Sequence, residues 1–229
     1  GNHDFGFTKG GTNPQIVASV LGLYDSERLK GPKAKKKDTS WSSVDKEITS
    51  AIKSAKKVTL LSNTIISPSL RNVINEMSLS LNGDGGTKFE HIEYDAVSYS
   101  AIREANLKNY NAAIIPSYDF SKAKTIVSLD ADFLSSWLLP TEFAVQYGQT
   151  RNPEGNMSKH FQFESVMSVT GSNADYRGMI KPSEQANVLS YILKAFSVNT
   201  GISTTLSADA AKVADAAVKA LKASKGESI

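Results

Sequence analysis

A chain of 229 residues and 24.7 kDa with 40% hydrophobic residues can build one large domain or two small ones. Twenty-six Lys and Arg against 23 Asp and Glu leave a formal charge of +3, too near balance to imply nucleic-acid binding without a concentrated patch. Cysteine is absent, which excludes disulfides, cysteine-ligated zinc and any iron–sulfur cluster held by this stretch alone.

Residues 1–40 are rich in Gly, Pro, Thr and Lys and read as an extended lead-in arm, with one apolar stretch from Ile16 to Leu21. Its basic run, Lys30, Lys33, Lys35, Lys36 and Lys37, is a solvated loop or a surface for an acidic partner or an anionic surface. From residue 41 to 229 the pattern is regular. Ser42-Ser43-Val44-Asp45 offers a helix start, and Val44, Ile48, Ile52 and Ala55 recur at helical spacing. Lys57 to Leu61 reads as a strand. Ser67-Pro68 opens a helix whose apolar face is Leu70, Val73, Ile74, Met77 and Leu81.

A turn over Asn82 to Gly86 precedes a strand around Phe89, Ile92 and Tyr94 and a helix from Ala96 to Lys108. Ala112 to Ile115 and Thr125 to Leu129 read as strands. Phe133 to Tyr147 has helical periodicity interrupted by Pro140, and Phe161 to Glu164 is again strand-like. Two helices close the chain, Glu184 to Val198 and Ser207 to Ser224, the latter capped by Ser207. Lys225 to Ile229 reads as a helix stop and the first residue of another strand, as in a piece of a longer protein. Strands alternating with helices predict a three-layer α/β domain with a mainly parallel sheet and helices on both faces.

In such a domain ligands settle at the carboxyl ends of the strands. There the chain places Asp130 and Asp132 after Leu129, and Glu164 at the end of the next strand. The two aspartates suit a helix cap, with acid–base work or a magnesium site as the alternative. Glu164 could hold a ribose hydroxyl, although no Gly-rich loop precedes it. Gly171 to Asp175 is a turn capped by Asn173 or a phosphate-cradling nest. His3, His91 and His160 lack metal-pair spacing, and neither a Gly-x-Ser-x-Gly elbow nor a P-loop occurs. No run reaches the length of a membrane span.

Several segments resemble the molybdopterin oxidoreductase superfamily. Leu23-Tyr24-Asp25-Ser26-Glu27-Arg28-Leu29-Lys30-Gly31-Pro32 with Thr39-Ser40-Trp41 is similar to that family's Leu-Tyr-Asp-Pro-Asp-Arg-Leu-Lys-x-Pro and Ile-Ser-Trp. Ser172-Asn173-Ala174-Asp175 through Ile180-Lys181-Pro182 is similar to its Ala-Asn-Ala-Asp and Ile-Arg-Pro-Gly-Thr. Where the family has Gly-x-Asn, this chain has Asp130 and Asp132; Ser183 replaces the loop glycine, and Ser165-Val166 replaces Pro-Arg. The combination resembles the molybdopterin-like half of the B subunit of alternative complex III, a Tat-variant-translocated group.

That resemblance implies a non-catalytic structural and docking domain in a membrane-associated respiratory complex passing electrons from quinol to cytochrome or oxidase. It implies a vestigial pocket at Asp130, Asp132, Glu164, Asn173, Asp175 and Ser183, and no cofactor or metal in this domain. Iron–sulfur clusters would lie elsewhere in the parent. It also implies cytochrome-containing partner subunits, no nucleic acid, no direct membrane span, and a periplasmic location on the inner membrane. The alternatives are a working molybdopterin domain completed by the rest of the parent, and an unrelated nucleotide-binding domain using Glu164.

Overall fold

The computed structural model describes residues 1–6, 8–83, 87–155 and 157–229 and is α/β, with helices and small parallel sheets. It forms two units, Gly1–Val20 with Ser117–Ile229, and Leu21–Pro116. The first opens with α1 (Pro14–Ala18), where the Asn13 side chain accepts from the Ile16 amide and Pro14 sits in the first turn.

The second unit starts with a two-residue hairpin, β1 (Lys33–Ala34) against β2 (Lys37–Asp38). Helix α2 (Trp41–Ser54) is capped by Ser40, whose hydroxyl accepts from the Ser43 amide, two residues before the expected start. Strands β3 (Lys57–Ser62) and β4 (Lys88–Glu93) pair in parallel. Between them runs α3 (Pro68–Gly83), with Ser67 accepting from the Leu70 amide as its cap and its side packed on β4. The expected turn over Asn82 to Gly86 falls partly outside the described residues.

Helix α4 (Ser100–Tyr110) begins later than its periodicity suggests and ends at Asn111 in the left-handed conformation. Ala112 to Ile115 is not a strand. The Ile114 amide bonds the Ala112 carbonyl, a tight local turn, and among the described residues no strand pairs with this short apolar run. Ile65 and Phe89 are buried in this unit, while Leu61, Ile66, Val73 and Leu79 stand exposed.

The first unit resumes with β5 (Thr125–Leu129), then α5 (Pro140–Gln149), β6 (Lys159–Glu164), α6 (Val169–Ser172), β7 (Tyr176–Met179), α7 (Gln185–Lys194) and α8 (Ala208–Ala223). Its sheet is all parallel in the order β5-β6-β7, with Thr125 opposite Lys159 and Phe161 opposite Tyr176. Ser228 makes a parallel bridge to Thr125, and the Ile229 amide bonds the Thr125 carbonyl, as the strand-like ending predicts.

Pro140 splits the periodic segment: residues 133–139 form turns and α5 starts at the proline, whose missing N–H costs nothing at that position. The final two helices are α7, which ends at Lys194 rather than Val198, and α8, capped by Ser207. Strand β7 is absent from the sequence reading. Its Gly178 is required because a Cβ there would lie 2.7 Å from a ring carbon of Phe163 on β6.

Both faces of this sheet are buried. Phe161 and Phe163 pack with Ile180, Val188 and Ile192 against the alanine stripe of α8, Ala210, Ala214 and Ala217. The alanines let the helix approach the sheet closely. Around Ile126, a second cluster gathers Phe120, Phe133, Phe143 and Tyr147, with Phe120 and Phe133 stacked at 4.3 Å. Each fully buried large side chain contributes about 1.5–3 kcal/mol, so these two clusters hold the unit together.

Candidate functional site

Strand alternation sends Phe161 and Phe163 to one face of β6 and His160, Gln162 and Glu164 to the other. All three polar side chains are at most 1% exposed. A buried polar group without a partner costs about 1–3 kcal/mol, and here each is bonded. Arg177 Nε donates to Glu164 Oε1 at 2.6 Å, Ser168 Oγ to Glu164 Oε2 at 2.6 Å, and Gln162 Nε2 to the same oxygen at 3.3 Å.

The ionised carboxylate sets the direction of the row. Glu164 only accepts, so Gln162 gives it the amide N–H and turns its carbonyl, at 3.4 Å, to His160 Nε2. A neutral imidazole then carries its proton on Nε2, and Nδ1 faces the Tyr147 hydroxyl at 3.1 Å, whose one proton is shared between this nitrogen and the Asn173 carbonyl at 3.0 Å. Burial pushes His160 down to about 4 and Tyr147 up to about 12. Burial also works to raise Glu164, but the Ser168 and Arg177 hydrogen bonds prevail and hold it below the usual carboxylate range.

At the carboxyl ends, Asp132 does not use its side chain to cap the segment that follows it. Its Oδ1 accepts from the Thr170 amide at 3.0 Å and the Thr170 hydroxyl at 2.7 Å, which places its charge on the first turn of α6. Thr170 Oγ1 in turn accepts from the Leu134 amide at 2.9 Å. The Asp132 backbone carbonyl does support the local turn, accepting from the amides of Ser135, Ser136 and Trp137. The capping expectation does not hold, because residues 133–139 form turns in place of a helix: one carboxylate oxygen reaches Thr170, 38 residues along the chain, and the other takes only a 3.4 Å bond from the Ser136 hydroxyl.

Asp130 is exposed, adopts φ 57°, and takes a 3.0 Å hydrogen bond from Gln185 Nε2. Aspartate is among the few residues that enter this left-handed region readily. Ser183 is exposed in the 3-10 turn Pro182–Glu184 at the same end. Asn173 and Asp175 lie elsewhere, toward the amino ends of the strands. Asn173 ends α6 with its amide on the Val169 carbonyl, and Asp175 accepts from the His160 backbone amide. Of the six residues singled out in the sequence, Asp130, Asp132, Glu164 and Ser183 share one end of the sheet, and Asn173 and Asp175 do not join them.

Asp175 belongs to a second pair. Arg151 grips it with two bonds of 2.8 and 2.7 Å and also donates to the Ser158 carbonyl, with its guanidinium 5.3 Å from the Tyr147 ring centre. Burial works to raise Asp175, but Arg151 and the His160 amide hold it low. The sequence reading missed Arg151, Gln162, Ser168, Thr170 and Arg177. Only the period-2 alternation of His160, Gln162 and Glu164 could have signalled the row.

A pyrophosphate at these strand ends would need free backbone N–H groups and room to approach them. The Thr170 and Gly171 amides are taken by Asp132 and by Ser168 Oγ, and the Ser168 amide by Glu164. A Cβ on Gly171 would lie 2.5 Å from the Glu164 carboxyl carbon, so the carboxylate fills the space over that turn. These residues do not fit a dinucleotide phosphate. No group of three or more His, Cys, Asp or Glu able to hold a metal occurs among the described residues. No helix of the described residues is long and apolar enough to cross a membrane. No family model matches the chain, and no curated protein matches it.

Proposed function

We propose that this chain is a non-catalytic structural and docking domain of a membrane-associated respiratory electron-transfer complex. In this reading it is a three-layer relative of the cofactor-binding domains of molybdopterin oxidoreductases, with its cofactor pocket closed by its own side chains. The observation that carries the reading is the engagement of Asp132 and Glu164 with Thr170, Ser168 and Arg177, where a cofactor phosphate would otherwise approach. Iron–sulfur clusters and cytochrome contacts belong to other parts of the parent and to its neighbours.

The docking role draws support from exposed apolar surface. The chain presents 16135 Å² to solvent, where two separate globules of its units' sizes would together present about 12,000 Å². Parallel strands are normally covered on both faces, yet Leu61 on β3 and Ile92 on β4 are exposed. Affinity purification of the full-length parent from native membranes tests this. Co-purifying haem-bearing subunits in fixed ratio support the reading, and a parent that purifies alone contradicts it.

A further inference from the structure

The hairpin of β1 and β2 turns on two residues, Lys35 and Lys36, with φ of 50° and 67°. Positive φ at both central positions is the type I′ turn, for which Asn-Gly is the favoured pair because L side chains enter this region at a cost. The chain spends two lysines there and follows them with Lys37. Arg28, Lys30 and Lys33 lie in the preceding residues, and all six cations are on exposed residues. The acids near them are few: Asp25, Glu27 and Asp38, of which Asp38 approaches Lys33 only to 3.8 Å.

Large apolar side chains accompany this charge. Leu21, Leu23, Tyr24, Leu29 and Trp41 are between 67% and 83% exposed. Acidic protein surfaces call for the cations alone. A lipid headgroup region takes both, lysines on the phosphates with their stems laid along apolar surface, and Trp, Tyr and Leu at the acyl boundary.

We propose that the Leu21–Trp41 segment binds a bilayer of anionic lipid, with the Lys35-Lys36 turn holding the lysines at its contact point. The inference stands on this segment alone and does not depend on the reading of the strand ends. The turn chemistry supplies a variant that separates charge from fold. K35N/K36G gives the turn its favoured pair while removing two charges.

The test is co-sedimentation of the full chain with phosphatidylcholine vesicles, with and without phosphatidylglycerol, at low and high salt. Expected is binding that needs phosphatidylglycerol, falls with salt, drops about thirtyfold in K35N/K36G with an unchanged or raised melting temperature, and drops at least a hundredfold in K35E/K36E/K37E. Equal binding to neutral vesicles, full binding by K35N/K36G, or binding only to polyglutamate or duplex DNA in place of vesicles would overturn it.

Discussion

Glu164 and Arg177 meet between adjacent parallel strands, Nε to Oε1 at 2.6 Å, with the glutamate side chain 1% exposed and the arginine 23%. The pair closes one end of a buried polar row that reaches Tyr147. Removing one partner of such a pair leaves a charge in a place water cannot reach. Arg177→Ala is expected to cost about 3 kcal/mol in urea unfolding. Arg177→Lys, which keeps the charge but not the planar donor, is expected to recover only part of that.

His160 gives the fold an acid limit. Its folded pKa, about 4, lies below its ordinary 6.5, so between these values the unfolded chain binds a proton that the folded chain refuses. Stability is complete above pH 6.5 and falls by about 3 kcal/mol as the pH approaches 4. Glu164 and Asp175 add a separate loss at lower pH, beginning below their ordinary 4.5 and 3.8 and continuing through their depressed folded values. Urea midpoints measured from pH 7 to 4.5 should show the slope in the wild type and a flattened one in His160→Asn. A flat wild-type profile would contradict the assignment.

Two glycines make a matched pair of substitutions. Gly171→Ala drives a Cβ into the Glu164 carboxylate, which is itself fixed by Arg177 and Ser168, and is expected to cost about 3 kcal/mol or more. Gly148→Ala, on α5, places its Cβ in open space and is expected to be neutral or to stabilise by up to about 1 kcal/mol. Thermal melts of the two variants measure the contrast directly.

Asp132 and Thr170 should behave as one unit. Asp132→Ala removes both bonds between the end of β5 and the start of α6, and Thr170→Val removes the hydroxyl bond while leaving the amide bond, at about 1–2 kcal/mol apiece. The double variant should cost less than the sum by about 1 kcal/mol, which a double-mutant cycle reads. Additive losses would mean that the two side chains act separately.

Much of the framework is legible in the residue pattern. Thr125 to Leu129 and Phe161 to Glu164 are apolar or alternating runs that form strands, and Ser207 before an alanine-rich stripe is the cap of α8. Tyr176 to Met179 is not legible because four residues containing Arg and Gly have no strand character of their own. They pair because Phe163 and Glu164 lie alongside. Ala112 to Ile115 fails in the opposite way, apolar but without a partner strand among the described residues. At the site, the positions of Asp130, Asp132 and Glu164 at strand ends follow from the sequence. Their partners do not, since Thr170 and Gln185 are 38 and 55 residues away from the aspartates they bond.

The most direct test of the proposed closed pocket is molybdenum and guanine-nucleotide analysis of the protein in its natural full length, purified anaerobically. Neither should appear in stoichiometric amount if Asp132 and Glu164 occupy the strand ends as described. One molybdenum with two guanine nucleotides per chain would contradict the account.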